Sequence, residues 1–182
     1  MPQPILRTER MIMHPLADEH LELEVALDAD PEVMRFLDGR ARTREEVAGS
    51  HAERMAAARR VGGLGYWMAF GAGGEFIGLM MLPPAGEPGE AELGYRLPRH
   101  NWRRGFATEA SRELLRHAFE TAGQTRVVAE TMTVNAGSRG VMAKAGLRYV
   151  RTYFPDYPPI PGSDQGEVVY ALTREEWSKT AW

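Results

Sequence analysis

Short runs rich in apolar, β-branched and aromatic residues recur along the chain, and each run is typical of a β-strand. Turn residues separate the runs; Ala-Gly-Gly at residues 72–74, for example, is typical of a hairpin between two strands. In the first run, Leu6, Met11 and Met13 are the predicted core positions. The pattern predicts six or seven strands, taken from residues 5–15, 64–71, 75–82, 90–98, 126–133, 147–153 and 167–172.

Helical periodicity fills several of the intervals between these runs. Thr43 and Glu46 have the spacing of a capping box, which predicts a helix that extends to about residue 60. A shorter helix is predicted over residues 18–27 with Asp18 as its cap, followed by a short helical segment at residues 30–37. The helix over residues 106–122 is the clearest, because small and apolar side chains recur at three- and four-residue spacing: Ala107, Ala110, Leu114, Ala118 and Ala122.

The order of these elements indicates the fold class. Asn135 is positioned to cap one more helix, which ends near Gly146. Between residues 90 and 153 the order is strand, helix, strand, helix, strand, which predicts a mixed α/β protein with about four helices on the faces of a sheet. No internal repeat or interdomain linker is present, so we expect a single domain over residues 1–182.

The composition is that of an ordinary globular protein and argues against several functional classes. The formal net charge of −3 does not suit a protein that coats nucleic acid. The absence of cysteine excludes a disulfide framework, a zinc–thiolate site and a cysteine nucleophile, and the five histidines lack metal-ligand spacing, so no metal is expected. No apolar run approaches the roughly 20 residues of a membrane span and no signal peptide is evident, so we expect a cytoplasmic protein without a membrane partner.

A basic turn that contains glycine joins the predicted strand at residues 90–98 to the helix at residues 106–122. The N-terminus of a helix exposes unpaired N–H groups and the positive end of the helix dipole, so it favours an anion such as phosphate. Gly105 and Ala107 allow a ligand to approach the backbone closely. Cationic side chains surround the turn: Arg99, His100, Arg103 and Arg104. The turn lacks the P-loop and dinucleotide-binding patterns, so the residues alone leave phosphate binding and an ordinary turn equally open.

The turn resembles the pyrophosphate loop of the GNAT N-acetyltransferases, whose pattern is Gln/Arg-x-x-Gly-x-Gly/Ala. Gly105 and Ala107 match its last two positions, and Trp102 stands at the first, as is typical of the RimJ/RimL-type branch. Arg103 stands where that branch often has glycine. Residues 6–11 are similar to the opening strand of the branch, and residues 135–149 carry its Asn-x-x-Ser pattern. The resemblance implies the acyl-CoA N-acyltransferase (GNAT) fold, with a mostly antiparallel sheet in which one pair of strands splays apart.

The resemblance implies that an acetyl group moves from acetyl-CoA, as co-substrate, to a primary amine. The loop would hold the coenzyme A pyrophosphate through the amides of residues 103–108, and its residues are Trp102, Arg103, Arg104, Gly105, Phe106, Ala107 and Thr108. The strand residues Tyr95, Arg96 and Leu97 would supply an oxyanion donor and contacts to the pantetheine arm. Asn135 would contact that arm, and Ser138 would donate a proton to the departing thiolate.

The attacking amine must be neutral, so its proton has to pass to a side chain or to water. Glu92 is the first candidate for this base, because the period of a strand places it on one face with Gly94 and Arg96. Glu167 is the second candidate and Glu130 the third. From the residues alone, each is also consistent with a solvated strand glutamate, and a chain of water molecules without a dedicated base stays open.

The acceptor is not determined by the sequence, and a protein N-terminal amine and a small-molecule amine both fit. Trp67, Tyr153 and Tyr157 are the candidates that line its site, although Trp67 is equally consistent with a core residue. Two other functions stay open: a non-catalytic CoA-binding sensor or interaction module, and an acyltransferase that uses another acyl-CoA such as succinyl-CoA. A homodimer is also left open.

Overall fold

A computed structural model of the chain describes residues 1–180. The helices of this part of the chain are α1 (Leu21–Asp28), α2 (Arg44–Arg60), α3 (Phe106–Arg116), α4 (Ala136–Lys144) and α5 (Arg174–Ser178). Its strands are β1 (Leu6–Arg7), β2 (Met11–Pro15), β3 (Gly65–Gly71), β4 (Phe76–Leu82), β5 (Glu90–Glu92), β6 (Gly94–Arg96), β7 (Arg126–Met132), β8 (Arg148–Tyr153) and β9 (Glu167–Thr173). None of these helices is long and apolar enough to cross a bilayer.

The strands form two sheets instead of one. The first has the order β1-β2-β3-β4-β6 and is antiparallel throughout. The second has the order β5-β7-β9-β8, in which β5 and β7 are parallel and the other pairs antiparallel. One core of buried apolar side chains includes residues of both sheets and of α3. The predicted mixed α/β class and the mostly antiparallel pairing are confirmed.

The sheets separate within the predicted strand at residues 90–98. Up to Glu92 the chain runs beside β7, whereas from Gly94 it pairs with β4 in the other sheet. Leu93 lies between the two, with its side chain buried and its N–H bonded to the carbonyl oxygen of Val128 (2.8 Å). Beyond Leu93, β6 therefore diverges from β7 and a gap opens between them, which is the splayed pair that the family resemblance implies.

The first predicted strand is also divided. A turn at residues 8–10 separates β1 from β2, which fold back on each other with Leu6 opposite Met13. The Thr8 side chain stabilises the turn by accepting a hydrogen bond from the Met11 N–H (3.0 Å). The predicted core positions Leu6, Met11 and Met13 are all buried, as expected. These two divisions account for the nine strands found where six or seven were predicted.

The helix predictions are partly right. The capping box at Thr43 is confirmed, since its hydroxyl accepts from the Glu46 N–H and the Glu46 carboxylate accepts from the Thr43 N–H. Asp18 is not a cap; the chain enters α1 through a 3-10 turn at Asp18–His20, and the His20 ring accepts a hydrogen bond from the Ala17 N–H (3.0 Å). Residues 30–37 form turns and no helix. After α3 the chain continues in a π-helical turn (His117–Thr121).

Candidate functional site

The turn between β6 and α3 leaves a row of backbone donors unpaired. Within residues 1–180, the N–H groups of residues 103–108 donate to no protein atom. Gly105 is the N-cap of α3 with φ 82°, and Arg103 also has a positive φ, 56°. A residue with a Cβ atom reaches this left-handed conformation at a cost of roughly 1–2 kcal/mol. The loop therefore has a backbone shape that favours glycine, although residue 103 is an arginine.

Asn101 and Trp102 fasten the front of this loop to the sheets. The buried Asn101 amide donates to the carbonyl oxygens of Phe76 and Ile77 (3.2 and 3.1 Å) and accepts from the Arg104 guanidinium (3.1 Å). The Trp102 indole N–H donates to the Leu97 carbonyl oxygen (2.8 Å). The Arg104 side chain thus helps to support the loop. The Leu97 carbonyl oxygen is already engaged as a hydrogen-bond acceptor by the Trp102 indole.

A second support comes from the turn between β1 and β2. The Glu109 carboxylate accepts hydrogen bonds from the Thr8 hydroxyl (2.5 Å), the Arg10 N–H (2.9 Å) and the Arg10 Nε (2.6 Å). Burial alone would raise the pKa of Glu109, but these hydrogen bonds and the charge of Arg10 lower it. Sequence reasoning missed Arg10, Glu109 and Asn101; residues 6–11 carried a family signal, but nothing in it pointed to the loop.

Tyr95 and Ser138 meet where the splayed strand faces α4. The Tyr95 hydroxyl donates to the Ser138 carbonyl oxygen (2.9 Å), and its oxygen lies 2.9 Å from the Ser138 Oγ. Burial raises the pKa of Tyr95 to about 12 against the opposing effect of this hydrogen bond, so the phenol stays protonated at neutral pH. Two hydroxyl groups are therefore linked beside the gap.

Asn135 caps α4, as the sequence predicted. Its side-chain oxygen accepts from the Ser138 N–H (3.2 Å), and its amide nitrogen donates to the Thr131 hydroxyl (3.0 Å). Both ends of the amide are therefore used to hold the first turn of α4, which fixes the backbone of Ser138 relative to β7.

The Arg96 side chain points away from the gap, toward α1. Its guanidinium makes two hydrogen bonds to the Asp28 carboxylate (2.7 and 2.8 Å), and Arg42 lies 3.6 Å from the same carboxylate. Burial lowers the pKa of Arg96, and Asp28 opposes that effect. A second buried carboxylate, Glu24, pairs with His51 and Arg54 of α2. These ion pairs join α1 and α2 to each other and α1 to the splayed strand.

Acidic and tyrosine side chains share one face of the second sheet. Tyr153 and Glu167 are directly opposite each other on β8 and β9. The Tyr153 hydroxyl donates to Glu130 and the Tyr157 hydroxyl to Glu167, each at 2.5 Å. The bond to Glu167 raises the pKa of Tyr157 to about 12, and burial together with Glu130 raises that of Tyr153. Within residues 1–180 these carboxylates belong to no cluster that could hold a metal ion.

Glu92 lies at the end of β5, directly before the strands diverge. Its side chain reaches solvent, yet the protein groups around it remove enough hydration to raise its pKa. The negative charge of Glu130 acts in the same direction. A carboxylate with a raised pKa is a better proton acceptor, which is the property required of a base at this position.

Trp67 does not line the gap, so its predicted role in acceptor binding is wrong. It is fully buried, its indole N–H donates to the Pro4 carbonyl oxygen (2.8 Å), and its ring meets His117 edge-on at 5.7 Å. The sequence left Trp67 equally consistent with a core residue, and the tertiary structure shows that it is one.

Comparisons with known proteins agree with this geometry. A family model described as an acetyltransferase (GNAT) domain matches residues 10–148. A protein of Aspergillus fumigatus named FsC-acetyl coenzyme A-N(2)-transacetylase is 43% identical over 185 residues, which cover 96% of this chain and 78% of that protein.

Two solved structures share the fold at low sequence identity. A RimL ribosomal L7/L12 alpha-N-protein acetyltransferase, solved with coenzyme A, has a TM-score of 0.81 at 18% identity and covers 95% of this chain and 99% of its own. A spermidine N-acetyltransferase from Vibrio cholerae, solved with CoA and spermine, has a TM-score of 0.78 at 13% identity, with 93% and 98% covered. The predicted GNAT fold is confirmed.

The buried pair of Asp28 and Arg96 yields a stability prediction. Changing Asp28 to Asn leaves a buried guanidinium without its counter-charge, so we expect a loss of about 3–5 kcal/mol in the free energy of unfolding measured by urea denaturation. The matched control is Asp30→Asn, which breaks the more exposed pair of Asp30 with Arg99 and should cost far less. Equal losses in the two variants would contradict this account of the buried pair.

Proposed function

Because the chain belongs to the GNAT acetyltransferase family, we propose that it moves the acetyl group of acetyl-CoA directly to a primary amine while both substrates are bound. The enzyme class predicted from the sequence, an acetyl-CoA-dependent N-acetyltransferase, is confirmed by the family match and the named relatives. The observation that carries the proposal is the row of unpaired N–H groups at residues 103–108, which lies beside the gap between β6 and β7.

We propose that these N–H groups bind the pyrophosphate of coenzyme A. They stand at the N-terminus of an eleven-residue helix, where the helix dipole also favours negative charge. The Arg103 guanidinium makes no hydrogen bond or ion pair with residues 1–180, so it is free to reach a phosphate oxygen. The pantetheine arm would then enter the gap along the backbone of Tyr95, Arg96 and Leu97, and past Asn135.

The reaction we propose needs one proton to leave the amine and one to reach the sulfur. The amine nitrogen attacks the thioester carbonyl, a backbone N–H of β6 stabilises the oxyanion, and the C–S bond breaks. Ser138 donates a proton to the departing thiolate and regains one from water, and the Tyr95 hydroxyl oxygen, 2.9 Å away, orients the Ser138 hydroxyl. Glu92 takes the proton from the amine, directly or through water.

Three carboxylates of the second sheet outnumber the guanidinium of Arg151, which lies over the Tyr153 ring on the same face, and so favour an acceptor that is positively charged in solution. Glu92, Glu130 and Glu167 share this face, and Tyr153 and Tyr157 hold two of these carboxylates by hydrogen bonds. The same charges disfavour the extra carboxylate of succinyl-CoA. The name of the Aspergillus fumigatus relative places its acetylated nitrogen at N(2), and the Vibrio cholerae enzyme is named for spermidine. We therefore propose a small cationic amine as the acceptor.

Two finer assignments from the sequence stay predictions. The RimJ/RimL-type branch is supported by Trp102 at the first loop position and by the structural similarity to a RimL enzyme. A single domain over residues 1–182 is consistent with the core shared by both sheets. The alternative of a non-catalytic sensor is disfavoured by the pair of hydroxyl groups of Tyr95 and Ser138 and by the raised pKa of Glu92 beside the gap.

The first test is calorimetric titration with acetyl-CoA, with ATP and NAD as control ligands. Gly105→Glu places a carboxylate against the bound phosphates, so we expect the Kd for acetyl-CoA to rise by about 100-fold or more. Gly123→Glu is the matched control, because Gly123 has φ 72° at the opposite end of the same helical segment and should have the same backbone strain without the loss of binding. Equal affinity in the two variants would contradict the proposed pyrophosphate site.

The role of Ser138 is tested by steady-state kinetics. We expect Ser138→Ala to lower kcat by about 100-fold while KM for acetyl-CoA changes by about threefold or less, because general acid catalysis is lost and coenzyme binding is kept. Tyr95→Phe should also lower kcat, and the double variant should fall no further than Ser138→Ala alone. Full turnover in Ser138→Ala would remove Ser138 from the mechanism.

The role of Glu92 is tested by the pH dependence of kcat/KM. Only the carboxylate accepts a proton, so activity should fall as pH drops through the raised pKa of Glu92, which lies above its ordinary value of 4.5. Glu92→Gln should abolish this acidic limb. Glu130→Gln removes a negative charge that raises the pKa of Glu92, so the limb should move to lower pH. An identical acidic limb in Glu92→Gln and the parent enzyme would point to water as the base.

A further inference from the structure

We propose that Arg10 is a positioning residue that holds the loop at residues 103–108 in its anion-binding shape, and in particular maintains the left-handed backbone of Arg103. This inference rests on the proposed pyrophosphate site. Arg10 is remote in sequence from the loop and lies in the turn between β1 and β2. No residue of this turn has a role in the proposed reaction.

The first step concerns the direction of one peptide group. The Arg10 Nη1 donates to the Arg104 carbonyl oxygen at 2.9 Å. In a trans peptide, the carbonyl oxygen of Arg104 and the N–H of Gly105 point in opposite directions. The hydrogen bond from Arg10 therefore turns the Gly105 N–H away from Arg10, toward the side on which the loop donors are free.

The second step is that Arg10 is itself fixed. Its Nε and its backbone N–H both donate to Glu109 in the first turn of α3. Its guanidinium carbon lies 4.3 Å from the centre of the Phe106 ring, within the range of a cation–π contact. A Cβ atom at Gly105 would lie 3.2 Å from the Arg10 Nη2, so the guanidinium packs directly against the loop backbone.

The third step is the strain that this support offsets. Arg103 has φ 56°, which for a residue with a Cβ atom is disfavoured by about five- to thirtyfold. Its own side chain makes no hydrogen bond within residues 1–180 that could hold this conformation. Without Arg10, the backbone at residue 103 would relax, and acetyl-CoA would bind only the minority of molecules with the loop in the correct shape.

A double substitution separates this role from a direct contact with the ligand. Arg10→Ala is made in three forms of the protein: the parent, Arg103→Ala and Arg103→Gly. Arg103→Ala removes the guanidinium but keeps the Cβ atom, whereas Arg103→Gly also removes the penalty for a positive φ. The Kd for acetyl-CoA is measured by calorimetry, and KM and kcat by steady-state kinetics.

We expect Arg10→Ala to raise the Kd about five- to thirtyfold in the parent and in Arg103→Ala, but about twofold or less in Arg103→Gly. KM for acetyl-CoA should rise in parallel while kcat at saturating acetyl-CoA changes little. Arg10→Lys keeps the positive charge beside Glu109, but one ammonium group cannot hydrogen-bond to both the Glu109 carboxylate and the Arg104 carbonyl oxygen. Arg10→Lys should therefore lose affinity for acetyl-CoA as Arg10→Ala does. Because it keeps the charge, it serves as the test variant if Arg10→Ala does not fold.

The same loss of affinity in all three forms would overturn the inference, because a direct contact between Arg10 and the ligand does not depend on residue 103. No loss in Arg103→Ala would overturn it as well. If the parent protein does not bind acetyl-CoA, or if Gly105→Glu binds it normally, the proposed pyrophosphate site itself fails. If the parent protein binds acetyl-CoA and Gly105→Glu does not, the pyrophosphate site stands, and the Arg10 variants then test only the role of Arg10.

Discussion

Hydrogen bonding between strands changes partner at Leu93, and the rest of the site depends on this change. Here β5 is hydrogen-bonded to β7, whereas β6, directly after it, is hydrogen-bonded to β4 in the other sheet. The two sheets separate from that point and leave a gap between β6 and β7. Glu92 lies directly before the gap, Tyr95 lies within it, and the turn that follows β6 reaches the N-terminus of α3.

An anion site made from backbone donors requires unpaired N–H groups and a loop held in an unfavourable shape. Both conditions oppose folding, so the loop depends on support from other parts of the chain. Asn101 fastens it to β4, and Arg10 with Glu109 fastens it to the turn between β1 and β2. The support consists of side-chain hydrogen bonds behind the loop, which leaves the donors of residues 103–108 free.

The site also separates its charges. The loop before α3 combines N–H groups with Arg103, which favours the phosphates of a coenzyme. The face of the second sheet has carboxylates, and partial burial together with the charge of Glu130 raises the pKa of Glu92 above that of an isolated glutamate. The buried Arg96 and Arg54 pair with Asp28 and Glu24, respectively, so each of these positive charges has a carboxylate beside it. One side of the gap thus presents N–H donors and the other presents carboxylates.

The sequence by itself determined those features that depend on near neighbours in the chain: the strand and helix periods, the caps at Thr43 and Asn135, and the glycine turn at Gly105. The resemblance in the turn and in residues 135–149 was enough for the family. The tertiary structure alone decided the break at Leu93, the burial of Trp67, and the contact between Arg10 and Glu109, which are 99 positions apart. Such contacts depend on how the two sheets pack around one core. A local sequence pattern does not indicate which distant side chains this packing brings into contact.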